Sequence, residues 1–271
     1  RRWRVRFRTS VQPLLRRCAL VGVAVSWCGL AAPQAGAAAL RLTRAEQDAL
    51  APARRALEAG AWQAAESLAA EAQSRFQRER GDSTLGVAHA LDLRVEALRG
   101  ARRASEPAAL SLAERALATY RRQLPVDDRR LAPAMVRLGW VLLARGANPA
   151  AESLFVRALA LEQAARRPDA RAETEAASGL AEAHRVLRRF RTADSLTAAA
   201  LRRLSILSPP DTSLEVQVRT TRGNLLAEQG RADEARRELD RARELVAAGM
   251  RPDSIGVSVL LRDLGRVAIL S

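Results

Sequence analysis

The chain contains no lysine, and only two cysteines, Cys18 and Cys28, both within the first 28 of its 271 residues. Aromatic residues make up 3% of it. From residue 29 onward it can form neither a disulfide nor a thiolate, which excludes a disulfide-stapled fold and cysteine catalysis for most of its length. Two histidines, His89 and His184, lie about 95 positions apart, too isolated to found a zinc or other metal site. No glycine-rich phosphate loop and no nucleophile elbow occurs. Scarce β-branched and aromatic residues argue against a sheet-rich fold, and catalysis and a bound cofactor are not expected.

Alanine, leucine, arginine and glutamate dominate instead. These residues favour helix, and small alanines let helices approach closely. The expected class is all-α. The formal charge is +15. Seven arginines (Arg1, Arg2, Arg4, Arg6, Arg8, Arg16 and Arg17) fall within the first 37 residues, which hold no acidic residue, while from residue 38 onward 38 arginines face 30 acidic residues. There the two signs alternate, as in Asp233-Glu234-Ala235-Arg236. That is the pattern of a solvated helix face, not of a basic patch interleaved with aromatics, so nucleic acid is not the expected partner.

Residues 1–37 differ from the rest. An arginine-rich start is followed by an apolar run of 15 residues, Cys18 to Ala32, and then by Ala35-Gly36-Ala37. This order is that of a secretory signal peptide cut after Ala37. The alternative is an uncleaved membrane anchor, although the run is short beside the roughly 20 residues that a span needs. Bulky Trp27 before Cys28 disfavours lipidation, and support for a twin-arginine signal is weak. The expected location is exported, periplasmic or extracellular, with membrane contact only through residues 1–37 if they are retained.

The rest of the chain repeats. Blocks that begin and end in alanine, seven residues apart, start at Ala65, Ala109, Ala151, Ala193 and Ala235, at spacings of 44, 42, 42 and 42. Two helical turns put both alanines of a block on one face. Gly139, Gly223 and Gly265 recur at one upstream place, with Ala181 between them, which implies close helix contact there. Gly60, Gly146 and Gly230 fall where a helix must stop, as left-handed C-caps do. Asp127, Asp169, Asp211 and Asp253 are each 42 apart, the last three behind a proline. Proline ends one helix and Asp caps the next. The unit is a cap, helix A, a turn and helix B.

This pattern resembles the tetratricopeptide repeat (TPR), with Leu138, Gly139, Ala151, Phe155 and Ala158 at its signature places. The period and the Pro-Asp cap resemble the longer subtype of kinesin light chains and bacterial scaffolds. The likeness covers residues 44–271 and is weaker in the first two units, which lack the Leu-Gly pair. It implies a right-handed α-solenoid of antiparallel helix pairs, with five hairpins over 44–252 and a lone helix A over 253–271. Helices A would line a concave groove that binds a peptide or partner protein.

Carried onto this chain, the groove positions are Gln47, Arg54 and Leu57; Arg94 and Leu98; Val136, Trp140 and Leu143; Glu182 and Arg185; Thr220 and Asn224; and Arg262 and Arg266. Asn224 can both donate to and accept from a peptide backbone. Trp140 offers a rigid apolar anchor or, equally, core packing. The arginines suit carboxylates, although each also fits a solvated helix surface. The full set of a carboxylate clamp is absent. The segment 255–271 is apolar around much of its circumference, which fits a longer protein with an effector domain after residue 271, or a homodimer formed through this end.

Overall fold

The computed structural model describes residues 41–249. The expected leader, residues 253–271 with Arg262 and Arg266, and the expected dimer surface over 255–271 lie outside them. Ten α-helices fill the described span: α1 (Arg44–Glu58), α2 (Trp62–Arg80), α3 (Leu85–Gly100), α4 (Pro107–Gln123), α5 (Ala132–Ala144), α6 (Asn148–Ala164), α7 (Ala170–Val186), α8 (Phe190–Leu204), α9 (Thr212–Glu228) and α10 (Ala232–Gly249). Each packs on its neighbours in sequence, and each odd-numbered helix also touches the next odd one. The fold is an α-solenoid of antiparallel pairs. The odd helices line one side of it, here called the inner face.

Helix starts follow local chemistry. Thr43 and Glu46 form a capping box on α1, with the Glu46 carboxylate accepting from the Thr43 backbone N–H at 2.7 Å. Thr84 caps α3 through the Val87 N–H. Asp169 caps α7 and Asp211 caps α9 through side-chain oxygens, as the 42-residue register predicts. Asp127 does not follow this pattern. Its neighbour Asp128 accepts from the Arg130 N–H and caps a 3-10 turn, Arg129–Leu131, that leads into α5. The nearest proline, Pro125, stands two residues before Asp127 instead of one, so the chain enters this helix by a different turn.

The end of each odd helix is uniform. Gly60, Gly146 and Gly230 have φ of 72°, 77° and 75°. One residue later an N–H reaches back five residues to a helix carbonyl: Ala61 to Ala56, Ala147 to Leu142 and Arg231 to Leu226, each at 2.9 Å. This is the Schellman closure, which needs the left-handed residue. The other two hairpins make the same bonds, Arg103 to Leu98 and Arg189 to His184, both at 2.8 Å. There the left-handed residues are Arg102 (φ 61°) and Arg188 (φ 58°).

All ten alanines of the repeated blocks are buried. A close contact surrounds Phe155, which is fully buried on α6. A methyl group on Gly139 of α5 would lie 2.7 Å from its ring, and one on Gly179 of α7 would lie 2.2 Å from it. Gly223 is held in the same way against Leu239, at 2.6 Å. The recurrent glycines thus mark places where helices close onto a side chain of the intervening helix.

The turn geometry generates a test. Left-handed backbone costs an L-residue about 1–2 kcal/mol, part of which is returned when glycine loosens the unfolded chain. Arg102→Gly is expected to stabilise the protein by about 0.5–1 kcal/mol in urea denaturation, and Ala147→Gly, next to a turn that already has glycine, to give no gain. Equal effects would remove this account of the turn.

Candidate functional site

The inner face is ordered by one offset. The turn between α3 and α4 holds six residues (101–106), whereas the other four A-to-B turns hold three. Across this unit the third helix A stands 44 residues from the second, and the remaining odd helices are 42 apart. With that offset, Arg54, Glu96, Trp140, Glu182 and Asn224 occupy one position on successive odd helices. Leu57, Arg99, Leu143, Arg185 and Ala227 occupy the position three residues further on.

Arg54, Leu57, Trp140, Leu143, Glu182, Arg185 and Asn224 lie on these two rows, whereas Gln47, Val136, Thr220, Arg94 and Leu98 do not; the last two are displaced by the offset. Arg94 and Leu98 follow from a uniform spacing of 42, which slips α3 by two residues and turns its face by about 200°. Arg94 points at α2, where it donates to Gln73 at 3.0 Å and lies 3.7 Å from Glu66. Leu98 is buried in the core. Asp92, Glu96 and Arg99 take the places read as Val136, Trp140 and Leu143 one unit later. Val136 is 1% exposed and belongs to the core, and Leu143 packs partly buried against it. Gln47 is exposed and donates to the Leu42 carbonyl. Thr220 is buried, with its hydroxyl bonded back to Val216 O at 2.7 Å, and Asn224 is buried beside it.

Sequence reading missed the charged centre of this face. Asp92 is buried on α3. Tyr120 Oη of α4 donates to it at 2.9 Å, and Arg137 of α5 donates at 3.3 Å. Arg137 also reaches Glu96 at 3.5 Å. Burial pushes the Asp92 carboxyl above its ordinary pKa, while Arg137 and Tyr120 pull it down. Burial opposes the charge of Arg137, but the surrounding carboxylates of Asp92, Glu96 and Glu175 hold its pKa above the ordinary value. The available signal was the 44-residue spacing between Ala65 and Ala109.

Trp140 lies between two partners. Its ring meets Phe155 edge to face at 5.6 Å, and the Arg99 guanidinium sits over it at 5.3 Å. Its Nε1 is buried with no hydrogen-bond partner. Arg185 is bound on both sides, by Glu182 in the same helix (2.6 and 2.9 Å) and by Glu228 of α9. His89 packs edge-on against Tyr120 at 5.3 Å. His184 lies 3.3 Å from Glu152, with its Nδ1 buried and unpartnered. Among the described residues no group of three His, Cys, Asp or Glu is arranged to hold a metal ion, and no helix is long and apolar enough to cross a membrane.

No protein-family profile and no curated protein sequence matches the chain. Solved structures do. A kinesin light chain of nearly identical TPR-like repeats from Podosopora anserina, in a singly substituted form, aligns with TM-score 0.56 and 15% identity over 77% of this chain and 98% of its own. BtubC (BKLC) from P. vanneervenii aligns with TM-score 0.53 and 17% identity over 84% and 85%. A Rap protein complexed with competence and sporulation factor aligns with TM-score 0.55 and 13% identity, over 84% of this chain and 65% of its own. At these identities the likeness establishes the fold, a TPR-type helical array.

His89 provides a test of the charged centre. Burial, then Arg54, Arg137 and Arg130, lower its pKa from 6.5 to about 4. The native state therefore binds fewer protons than the unfolded chain between these values. This contribution to stability is complete above pH 6.5 and is lost as pH falls towards 4. His89→Gln should flatten the decline in Tm between pH 6.5 and 4 relative to the unsubstituted protein. Parallel curves would mean that His89 is not held neutral.

Proposed function

We propose that this protein is an exported interaction scaffold whose inner face is a groove for an extended segment of a partner protein. The observation that carries this reading is the row Arg54, Glu96, Trp140, Glu182 and Asn224. One position of five successive odd helices presents a cation, two anions, an indole and an amide, and all but Asn224 are partly open to solvent. A row needed only for packing would be small and apolar, like the alanines of the even helices. Varied side chains in fixed register suit reading a peptide residue by residue.

The chemistry favours binding over catalysis. The buried ionisable groups of the inner face are mostly committed to one another, Asp92 to Tyr120 and Arg137, and Arg185 to Glu182 and Glu228. None is poised as a nucleophile beside a base. The 42-residue register and the caps at Asp169 and Asp211 support assignment to the longer repeat subtype. Residues 1–37 read as the export signal, and cleavage after Ala37 would leave a chain free of cysteine. The Rap structure, which holds a bound factor, supports a peptide or protein as the ligand class for such an array.

The test is selection from a random-peptide display library on the full chain and on Trp140→Ala/Asn224→Ala. The double variant should retain its helical circular dichroism and lose at least about tenfold in affinity for the peptides the parent selects, the scale of a lost interface anchor. Unchanged binding by the folded variant would remove the groove assignment.

A further inference from the structure

Arg99 and Arg185 occupy the same place in the repeat, two units apart, yet their surroundings differ. Arg185 has a carboxylate three residues before it, Glu182, and a second on the next odd helix, Glu228. Arg99 also has a glutamate three residues before it, but that residue, Glu96, is drawn to Arg137 at 3.5 Å. The position equivalent to Glu228 is Ala144, which is exposed. Asn224, on the odd helix after Arg185, corresponds to Trp140 on the odd helix after Arg99, and there Arg99 finds an aromatic face at 5.3 Å.

Arg99 consequently has no ion-pair partner among the described residues. The carboxylates of Glu175 and Glu96 act on it only from beyond ion-pair distance, and burial lowers its pKa from the ordinary value. A partly buried guanidinium without a counter-charge is costly, and stacking on an indole replaces only part of its hydration. The ring holds the planar group, and no acceptor among the described residues takes its N–H fork, whose geometry matches a carboxylate. The indole Nε1–H beside it is a second donor without an acceptor.

We propose that Arg99, stacked on Trp140, is an anion-reading point of the inner face and takes the carboxylate of an aspartate or glutamate side chain in an extended peptide. This rests on the groove reading above. Further odd helices flank Arg99 on both sides, α1 on one and α5, α7 and α9 on the other, so a peptide lying along them passes it internally. That favours a side chain over a C-terminal carboxylate. Arg185, closed by Glu182 and Glu228, does not share the role.

The experiment is random-peptide selection on the full chain and on Arg99→Gln, followed by fluorescence anisotropy of the strongest peptide from the full chain. That peptide is compared with its Asp→Asn or Glu→Gln counterpart and with its C-terminally amidated form. The expected result is an acidic residue at one fixed place. Its neutral counterpart should bind the full chain roughly 10- to 100-fold more weakly, the scale of a charge-assisted hydrogen bond, and bind Arg99→Gln nearly as well as the acidic peptide does. Amidation should have little effect. Ala144→Glu, which supplies the carboxylate that Arg185 has and leaves Arg99 in place, should abolish the acidic preference with the fold intact.

Acidic preference that survives both Arg99→Gln and Ala144→Glu overturns the assignment, as do selected peptides without a fixed acidic residue. Dependence on a free C-terminus overturns the side-chain source. Selection of no peptide by the full chain overturns the groove reading itself, whereas peptides selected without acidic preference overturn only the role of Arg99.

Discussion

One left-handed residue at the end of each odd helix governs the arrangement of the array. It lets the following N–H close back on the helix, and so fixes where the next helix begins and which of its faces meets the core. Five repetitions of that closure bury the alanines of the even helices and set the odd helices side by side. The buried contacts then enforce the spacing more strictly than turn chemistry alone would. Phe155 fills the space between Gly139 and Gly179 with no room for a methyl group on either glycine.

The same closure explains why most of the architecture could be read from sequence. Alanine pairs, cap aspartates and turn glycines recur because each repeat needs the same small side chain, first-turn acceptor and positive φ. Two of the five turns use arginine in the left-handed place, however, and leave no glycine to find. Gly179 escaped notice for the opposite reason: it sits at a place where no other repeat has glycine, because only Phe155 needs the room. Asp127 kept the period but not the role, since its loop delivers Asp128 to the cap.

The binding face was less legible, and the reason is geometric. Two extra residues between α3 and α5 leave every hairpin intact but change which α3 side chains share a row with α5. A helix tolerates no such error, because two positions carry a residue to nearly the opposite face. The Ala65-to-Ala109 spacing of 44 contained the correction, yet the consequences for Asp92, Glu96 and Arg99 emerge only when the helices are placed side by side. Partners in the charged centre are likewise invisible to a linear reading. Asp92 and Arg137 are 45 residues apart and Asp92 and Tyr120 are 28 apart.

The contrast between Arg99 and Arg185 bears on how a formal charge should be understood. An excess of arginine describes the long-range field through which a partner approaches. It does not count the cations that a partner can hold on arrival, because Arg137, Arg171, Arg185 and Arg219 are already neutralised by carboxylates of the same chain. In an array built this way, an anion-binding point can arise by truncation, with alanine standing where a sister repeat keeps glutamate. Selectivity along the face is then written as much by the anions that are missing as by the cations that are present.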